Sequence, residues 1–362
     1  MRAPSLFFPL IAAVGGFAIL SSTLSKTPVL PLFAAALGAS PAEIGWIVIA
    51  STIPGILVSL PAGALADRLG HRRVLLASLV VFATAPWLYL WVETAWQLMA
   101  VRFYHGFATA IFGTVATAAI AARYTADRAA RLSTYSSITI VGRSVAPFLG
   151  GALISLGSHT SVYLACAVAG AIALLAGWLL DDAPAPATRR AFPHPLQSLK
   201  RVLADRRIVA VSGVEAAQYL VFGAVEAFLA LYAHQLGIPA WQIGVILGAQ
   251  LASIVFAKPL MGRLSDRIGR VRVIVPGLVV GAASVAGFAA VETLVPLTLL
   301  SLAFGVGFAT VTSSTSALVA DLTHNGEFGA SIGVLRTVMD IGQSIGPVLA
   351  GALVTASGYA SA

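Results

Sequence analysis

Lys26, Arg102, Arg143, Glu226, Arg336 and Asp340 lie deep inside apolar runs long enough to cross a bilayer. A charge at the centre of an inserted helix costs about 2.5 to 3.5 kcal/mol, so its presence points to a transport path, a proton relay or a partner of opposite sign. The carboxylates can take up and release protons, and nearby cations can decide when they do. Arg336 and Asp340 are four residues apart, on one face of a helix, where they can satisfy each other. Asp340 is also a candidate proton site if that pair opens. Glu215 is a further carboxylate nearer the end of its run, and Lys258 lies close enough to a run's end to extend its ammonium outward.

Composition sets the solvent of the elements that carry these charges. The chain of 362 residues is 58% hydrophobic and only 10% charged, and its mean hydropathy is +0.91. That mixture belongs to an integral membrane protein. A bilayer core is crossed by about 20 helical residues, and the apolar runs predict spans at 7–37, 43–65, 74–93, 96–122, 131–157 and 160–180. A second set is predicted at 208–236, 241–264, 272–291, 294–321 and 329–357. The expected fold class is therefore all-α and polytopic, with two pseudo-symmetric bundles of six and five spans. The first set continues past the point where the second ends at Ala362, so the expected twelfth span is absent, as in a truncated chain; a protein of eleven spans is the alternative. Arg2 and the apolar residues after it could open a signal peptide, but the run continues to Leu37 and matches 208–236, which favours a retained span.

The cations fix an orientation. Arg2, the Arg68, Arg72 and Arg73 group, Arg123, Arg128, Arg131, Arg189, Arg190, Lys200, Arg201, Arg206 and Arg207, and Arg263, Arg267, Arg270 and Arg272 all fall in alternate loops. Lysine and arginine stay on the cytoplasmic side, so the N-terminus is expected inside. The net charge of +8 then needs no nucleic-acid partner. Asp181 to Arg207 contains DDAPAPATRR and FPHPLQSLKRVLADRR, and 182–207 reads as a cytoplasmic linker whose second part can lie as a basic amphipathic helix on anionic lipid. The expected domains are 1–181, that linker, and 208–362. Cys166, the single cysteine, lies inside the sixth span and permits no intrachain disulfide.

A short charged segment occurs twice in this apolar chain. Gly63 to Arg73 reads GALADRLGHRR, and Gly262 to Arg272 reads GRLSDRIGRVR. Repetition at so long a period marks a duplicated unit. Gly63, Asp67, Arg68, Gly70, Arg72 and Arg73 resemble the loop motif between spans two and three of the major facilitator superfamily, and Gly262, Asp266, Arg267, Gly269, Arg270 and Arg272 repeat it between spans eight and nine. The resemblance runs the whole length of the chain and is closest, by motif, to drug/proton antiporter-like members. It implies two bundles that rock about a central site, with Asp67 as a latch that holds the eleventh span while the cytoplasmic side is closed. Independently of the family, a carboxylate at a helix end can cap a neighbouring helix's free amides while arginines hold the turn. A turn that only fixes topology is the plainer reading.

The fifth and eleventh spans carry a second repeat, Gly142, Ala146, Pro147, Gly150 and Gly151 against Gly342, Gly346, Pro347, Ala350 and Gly351. Small residues at four-residue spacing let helices approach, and proline bends them. The resembled family places a GPxxGG pattern on the fifth span of antiporters; here Ser133 and Ala146 stand where two of its glycines would be, and presence in both halves also fits a packing seam. By the same resemblance the deep charges fall on spans that line the cavity or the interface between halves, while spans three, six and nine face lipid. Arg102, in RFYHGFAT, fits the family's fourth-span motif implicated in proton coupling, and His105 could join a relay; the second half repeats GFAT but has Ala303 in place of the arginine.

Aligning Leu37-Gly38 with Leu236-Gly237 sets Thr27 against Glu226, so Lys26 and Glu226 sit one residue apart across the repeat. Both lie about 10 to 12 residues from the outer end, near the midplane. Glu226 is either a proton carrier controlled by Lys26 or half of a structural lock. Arg143 is matched by the neutral Gln343, and could hold Asp340, an anionic substrate or backbone carbonyls.

The sequence carries no Walker loop, typical zinc cluster or nucleophile motif, so neither an enzyme nor an ATP-driven pump is expected, and no cofactor or metal. The expected function is a secondary transporter working by alternating access, most simply proton-coupled efflux of amphipathic or drug-like solutes, with Tyr219, Phe222, Phe228 and Tyr232 as candidate cavity aromatics. Proton symport of a polar or anionic metabolite is the alternative, supported by Lys26, Arg102 and Arg143. A transport-inactive receptor or scaffold is a third. The expected partners are a small organic substrate, protons and membrane lipid, and the expected state is a monomer in a bacterial inner membrane.

Overall fold

Pro28 and Pro54 divide the first two expected spans. In the computed structural model, which describes residues 6–124, 127–181, 204–323 and 328–362, the first span is α1 (Phe7–Leu24) followed by α2 (Val29–Ala36). The second is α3 (Pro41–Ile49) followed by α4 (Thr52–Leu69). Proline has no amide hydrogen, so the carbonyls of Leu24 and Ala50 lose the donor four residues on. Pro54 then falls in the first turn of α4, where an amide would be unbonded anyway.

The remaining helices are α5 (His71–Tyr89), α6 (Ala95–Arg123), α7 (Arg128–Leu156), α8 (His159–Trp178), α9 (Arg206–Gln235), α10 (Ala240–Ile268), α11 (Arg270–Phe288), α12 (Leu294–Leu322) and α13 (Phe328–Ser361). All regular structure among the described residues is helical, as the composition requires in a solvent without hydrogen-bonding partners. Ten helical stretches among the described residues are long and apolar enough to cross a membrane. The α3–α4 stretch, interrupted at Ala50 and Ser51, is not one of them. The linker expected at 182–207 lies outside the described residues up to 203. Its end shows how α9 starts: the Asp205 side chain accepts hydrogen bonds from the amides of Arg207 (2.9 Å) and Ile208 (3.5 Å).

The duplication seen in the sequence is a duplication of geometry. Gly38 and Gly237 both have φ near +78°, and Gly70 and Gly269 have φ of +92° and +100°. Residues with a Cβ rarely adopt these values, which explains glycine at all four positions. After Gly38 the Ala39 amide returns to the Ala34 carbonyl, and after Gly237 the Ile238 amide returns to that of Ala233, the same helix stop in each half.

The described chain forms two compact units. One is Met1–Ala39, Trp46–Arg189 and Pro239–Gly244; the other is Ser40–Gly45, Arg190–Ile238 and Val245–Ala362. In the first, α5 packs on α6 and α8, α4 on α6, and α1 on α7 and α8. Its core is built from Ile11, Val14, Leu75, Leu79, Phe82, Phe112, Val115 and Ile120. In the second, α9 packs on α12 and α13, and α11 on α12. A cluster of Ile208, Val319, Val334 and Leu335 ties α9, α12 and α13 together at one end.

Between helices in lipid there is little transfer energy to gain, so close approach carries much of the assembly. A Cβ on Gly142 of α7 would sit 2.9 Å from the Gly16 carbonyl of α1. In the second unit a Cβ on Gly342 or Gly346 of α13 would collide with the carbonyl of Ala216 or Leu220 on α9, and one on Gly223 would lie 2.6 Å from the Gln343 carbonyl. Gly150 lies against Pro28 and Val29, and Gly151 against Ala240 and Gly244, within the first unit. Gly351 lies against Pro41 within the second. Pro147 and Pro347 sit inside their helices, both buried.

Candidate functional site

The break between α3 and α4 builds the polar site of the first unit. Gly106 of α6 has no side chain, and a Cβ there would collide with the Ser51 carbonyl, so the break rests directly on α6. That contact brings the Ser51 hydroxyl to Arg102, one turn before Gly106, and Arg102 Nη2 donates to Ser51 Oγ at 2.7 Å. Tyr89, at the end of α5, places its hydroxyl 3.5 Å from Arg102 Nη1 and 3.3 Å from His105 Nδ1. The Tyr89 ring stacks on Tyr163 of α8 at 4.3 Å, and Phe33 of α2 packs against Tyr163 and His159.

Arg102 is only 4% exposed, and no carboxylate lies within ion-pair distance of it among the described residues. Its Nε, His105 Nε2 and the Tyr163 hydroxyl are buried without a hydrogen-bond partner among the described residues. The arrangement is a desolvated cation tied to a hydroxyl and an imidazole, groups that can each donate or accept a proton. His105 is therefore part of this network.

A carboxylate occupies the corresponding place in the chemistry of the second unit. Glu215 of α9 is 2% exposed, and its Oε2 is hydrogen-bonded to Thr315 Oγ1 of α12. Ser212 Oγ and Gln218 Oε1, one turn before and one turn after Glu215, are buried with no hydrogen-bond partner among the described residues. The charge of Lys258 on α10 acts on Glu215, although no ion pair holds Glu215 among the described residues. Sequence reasoning named Glu215 but gave it no role because it lies nearer the end of its apolar run. The signal that could have found it is the polar run Thr312 to Ser316 in an otherwise apolar helix.

The other deep charges are placed as follows. Lys26 lies in the break between α1 and α2, partly buried, and Arg143 is accessible on α7, both in the first unit. Glu226 is partly buried on α9 in the second. Arg336 and Asp340 have accessible side chains on α13 and form no ion pair among the described residues; Arg336 acts on Asp340 through its field. The expected pairing is thus not made among the described residues.

Two of the expected cavity aromatics are packing residues instead. Phe222 and Phe228 are buried at 8% and 6% exposure, and Phe222 stacks on Phe308 of α12 at 4.6 Å. Large rings facing a neighbouring helix fill the space between backbones. Tyr219 packs on Phe308 at 5.0 Å while partly accessible, and Tyr232 lies against Tyr359 at 5.9 Å.

The two loop motifs are used differently. In the first, Arg72 Nη2 donates to the Trp178 carbonyl at 2.8 Å, capping the free end of α8. The side chain of Asp67 lies outside the described residues, as does Gly63's surrounding, while Arg68 and Arg73 are accessible. In the second, Asp266 pairs with Arg270 one turn on, and Arg270 Nε also donates to Asp321 of α12 at 2.9 Å and Nη1 to Ser265 at 2.9 Å. Asp266 is held by a guanidinium rather than by a neighbouring helix's amides, since the arginine four residues away is nearer. Arg267 and Arg272 form no ion pair among the described residues.

The family model described as Major Facilitator Superfamily matches residues 11–249 and 213–362. An uncharacterized MFS-type transporter of Methanocaldococcus jannaschii is 23% identical over 340 residues, 92% of this chain and 88% of that protein. A multi-drug resistance efflux pump PmrA homolog of Lactococcus lactis is 23% identical over 97% of this chain and 88% of its own length. Multidrug resistance protein 1 of Bacillus subtilis is 23% identical over 90% and 84%. Among solved structures, the fold is similar to an inward-facing bacterial homolog of the human lysosomal transporter Spinster, with TM-score 0.84 and 15% identity over 97% of this chain and 82% of that one. The nucleoside transporter NupG gives TM-score 0.84 at 15% identity over 98% and 94%.

Proposed function

Because this chain belongs to the major facilitator superfamily, we propose that it exports small amphipathic or drug-like compounds in exchange for protons. It is a multi-pass integral membrane transporter and not an enzyme. The observation that carries the efflux reading is the likeness, over nearly the whole chain, to proteins named for multidrug efflux and resistance. We place it in a bacterial inner membrane as a monomer surrounded by lipid, with its N-terminus cytoplasmic.

Proton coupling rests on the deep charges. Arg102 supplies a fixed cation in a buried hydroxyl and imidazole network, which suits a group that controls a neighbouring proton's affinity. Glu226 and Asp340 are the proposed carriers, with Lys26 tuning the first and Arg336 the second. Arg143 is proposed to face the path. The Asp67 segment and its second copy at Asp266 act as switch loops, and Pro147, Gly150, Gly151, Gly346, Pro347 and Gly351 form the seams on which the spans move. Three deep cations, Lys26, Arg102 and Arg143, favour a second reading, proton symport of an anionic metabolite.

One assay separates these readings. The protein in liposomes, under an imposed pH gradient, should move a fluorescent lipophilic cation against the proton flow. Glu226→Gln and Asp340→Asn should each uncouple that movement. Normal coupling in both variants rules out this carrier assignment, and movement of solute with the protons selects symport.

A further inference from the structure

We propose that Glu215 is a reversible proton-binding site inside the second unit, separate from the deep charges assigned above. The inference stands on the local hydrogen-bond geometry and holds whichever way solute moves.

The argument turns on a single hydrogen. Thr315 Oγ1 lies 2.9 Å from the Val311 carbonyl, one turn back on its own helix, and also contacts Glu215 Oε2. A threonine hydroxyl has one proton to donate and two lone pairs to accept with. When that proton goes to Val311, the contact with Glu215 requires the carboxyl to be the donor, as a neutral acid. When it turns to Glu215, the carboxyl is the acceptor, as an anion. The same two oxygens therefore serve both protonation states, and rotation of one hydroxyl exchanges them.

Among the described residues the surroundings leave an anion unpaired and offer hydrogen-bond acceptors to a neutral carboxyl. Glu215 is 2% exposed and has no ion-pair partner among the described residues, so an anion there lacks both water and a salt bridge. Ser212 Oγ and Gln218 Oε1, at three residues before and after, are buried oxygens without a partner among the described residues, and each can accept a hydrogen bond from a neutral carboxyl or from a water that carries the proton. Every charged or titratable group on the packed elements can be placed. On α9 they are Arg206 and Arg207 at the helix start, Tyr219 one turn on from Glu215, Glu226, and Tyr232 and His234 near the helix end. On α12 there is Asp321, engaged by Arg270. On α13 there are Arg336, Asp340 and Tyr359, and on α10 Arg263, Asp266 and Arg267 lie toward the helix end while Lys258 acts through its field. Of these, Lys258 is the group able to help expel the proton. Starting from Arg206, Glu215 lies about 13 Å along α9.

The test needs no identified solute. Infrared difference spectra of the full chain in lipid nanodiscs, recorded through a pH titration, should contain a protonated-carboxyl band that is lost in Glu215→Gln and retained in Glu226→Gln and Asp340→Asn. Thr315→Val should keep the band but move it to higher frequency, because the carboxyl loses its partner. A spectrum unchanged by Glu215→Gln overturns the proposal. So does a band that responds to sodium at constant pH, which makes the site a metal-ion site. Failure of the efflux reading leaves these spectra unchanged, so the two ideas fail separately.

Discussion

The first unit buries a cation and the second a carboxyl group; the hydroxyls of Ser51 and Tyr89 meet Arg102, and that of Thr315 meets Glu215. Arg102 reaches Ser51 at the proline break, and Glu215 reaches Thr315 in an unbroken helix. The contrast teaches that a duplicated scaffold keeps its helix seams while the charges it buries diverge. Arginine cannot give up its proton, so the first site can only bias its neighbours. Glutamate can, so the second site can carry one.

The largest test of that division is Arg102→Met. It removes a buried charge whose insertion is costly, so thermal stability in detergent should stay within about 1 kcal/mol of wild type. Gradient-driven transport should fall by about tenfold, the effect of moving a neighbouring carboxyl's proton affinity by about one pKa unit. Transport that survives would leave Arg102 a packing residue.

The helix seams offer a second comparison. Ala146 on α7 is tolerated at the position where α13 has Gly346, because Gly346 lies against the Leu220 carbonyl. Gly346→Val should therefore cost about 3 kcal/mol through overpacking, read as a lower melting temperature. The reciprocal Ala146→Gly should cost about 1 kcal/mol, mainly the helix propensity of glycine. Equal losses would mean the two seams are equally tight.

Ser51→Ala should cost about 1.5 kcal/mol, the low end for a hydrogen bond to a charged group, and should leave Arg102 with the more distant Tyr89. The smallest effect is expected at the loops. Arg270→Gln removes contacts to two accessible carboxylates, and exposed pairs of this kind contribute about 0 to 1 kcal/mol. A melting shift above that range would make the second loop, rather than the first, the stiffer of the two copies.

Much of the fold was legible beforehand because the signal is periodic and local. Long apolar runs, charged glycine-bounded loops and matched helix stops each declare themselves within about twenty residues. Pro28 and Pro54 were equally visible, yet a hydropathy run hides a break that changes one hydrogen bond rather than polarity. The site was less legible. Arg102 stood out as a charge in an apolar run, whereas Ser51 and Tyr89 look ordinary until α3, α5 and α6 are brought together. Phe222 looked like a cavity ring because its type is right for one, and only the position of Phe308 makes it core.

The sequence alone determined the membrane solvent and the duplicated helices, and singled out Arg102 as a charge in an apolar run, since these follow from composition and repeat spacing. Tertiary structure decided which group answers each charge. Ser51 for Arg102, Thr315 for Glu215 and Asp321 for Arg270 come from segments at least fifty residues away. No local pattern encodes such pairings, because they depend on how closely glycine lets two backbones approach and on which faces of distant helices then meet.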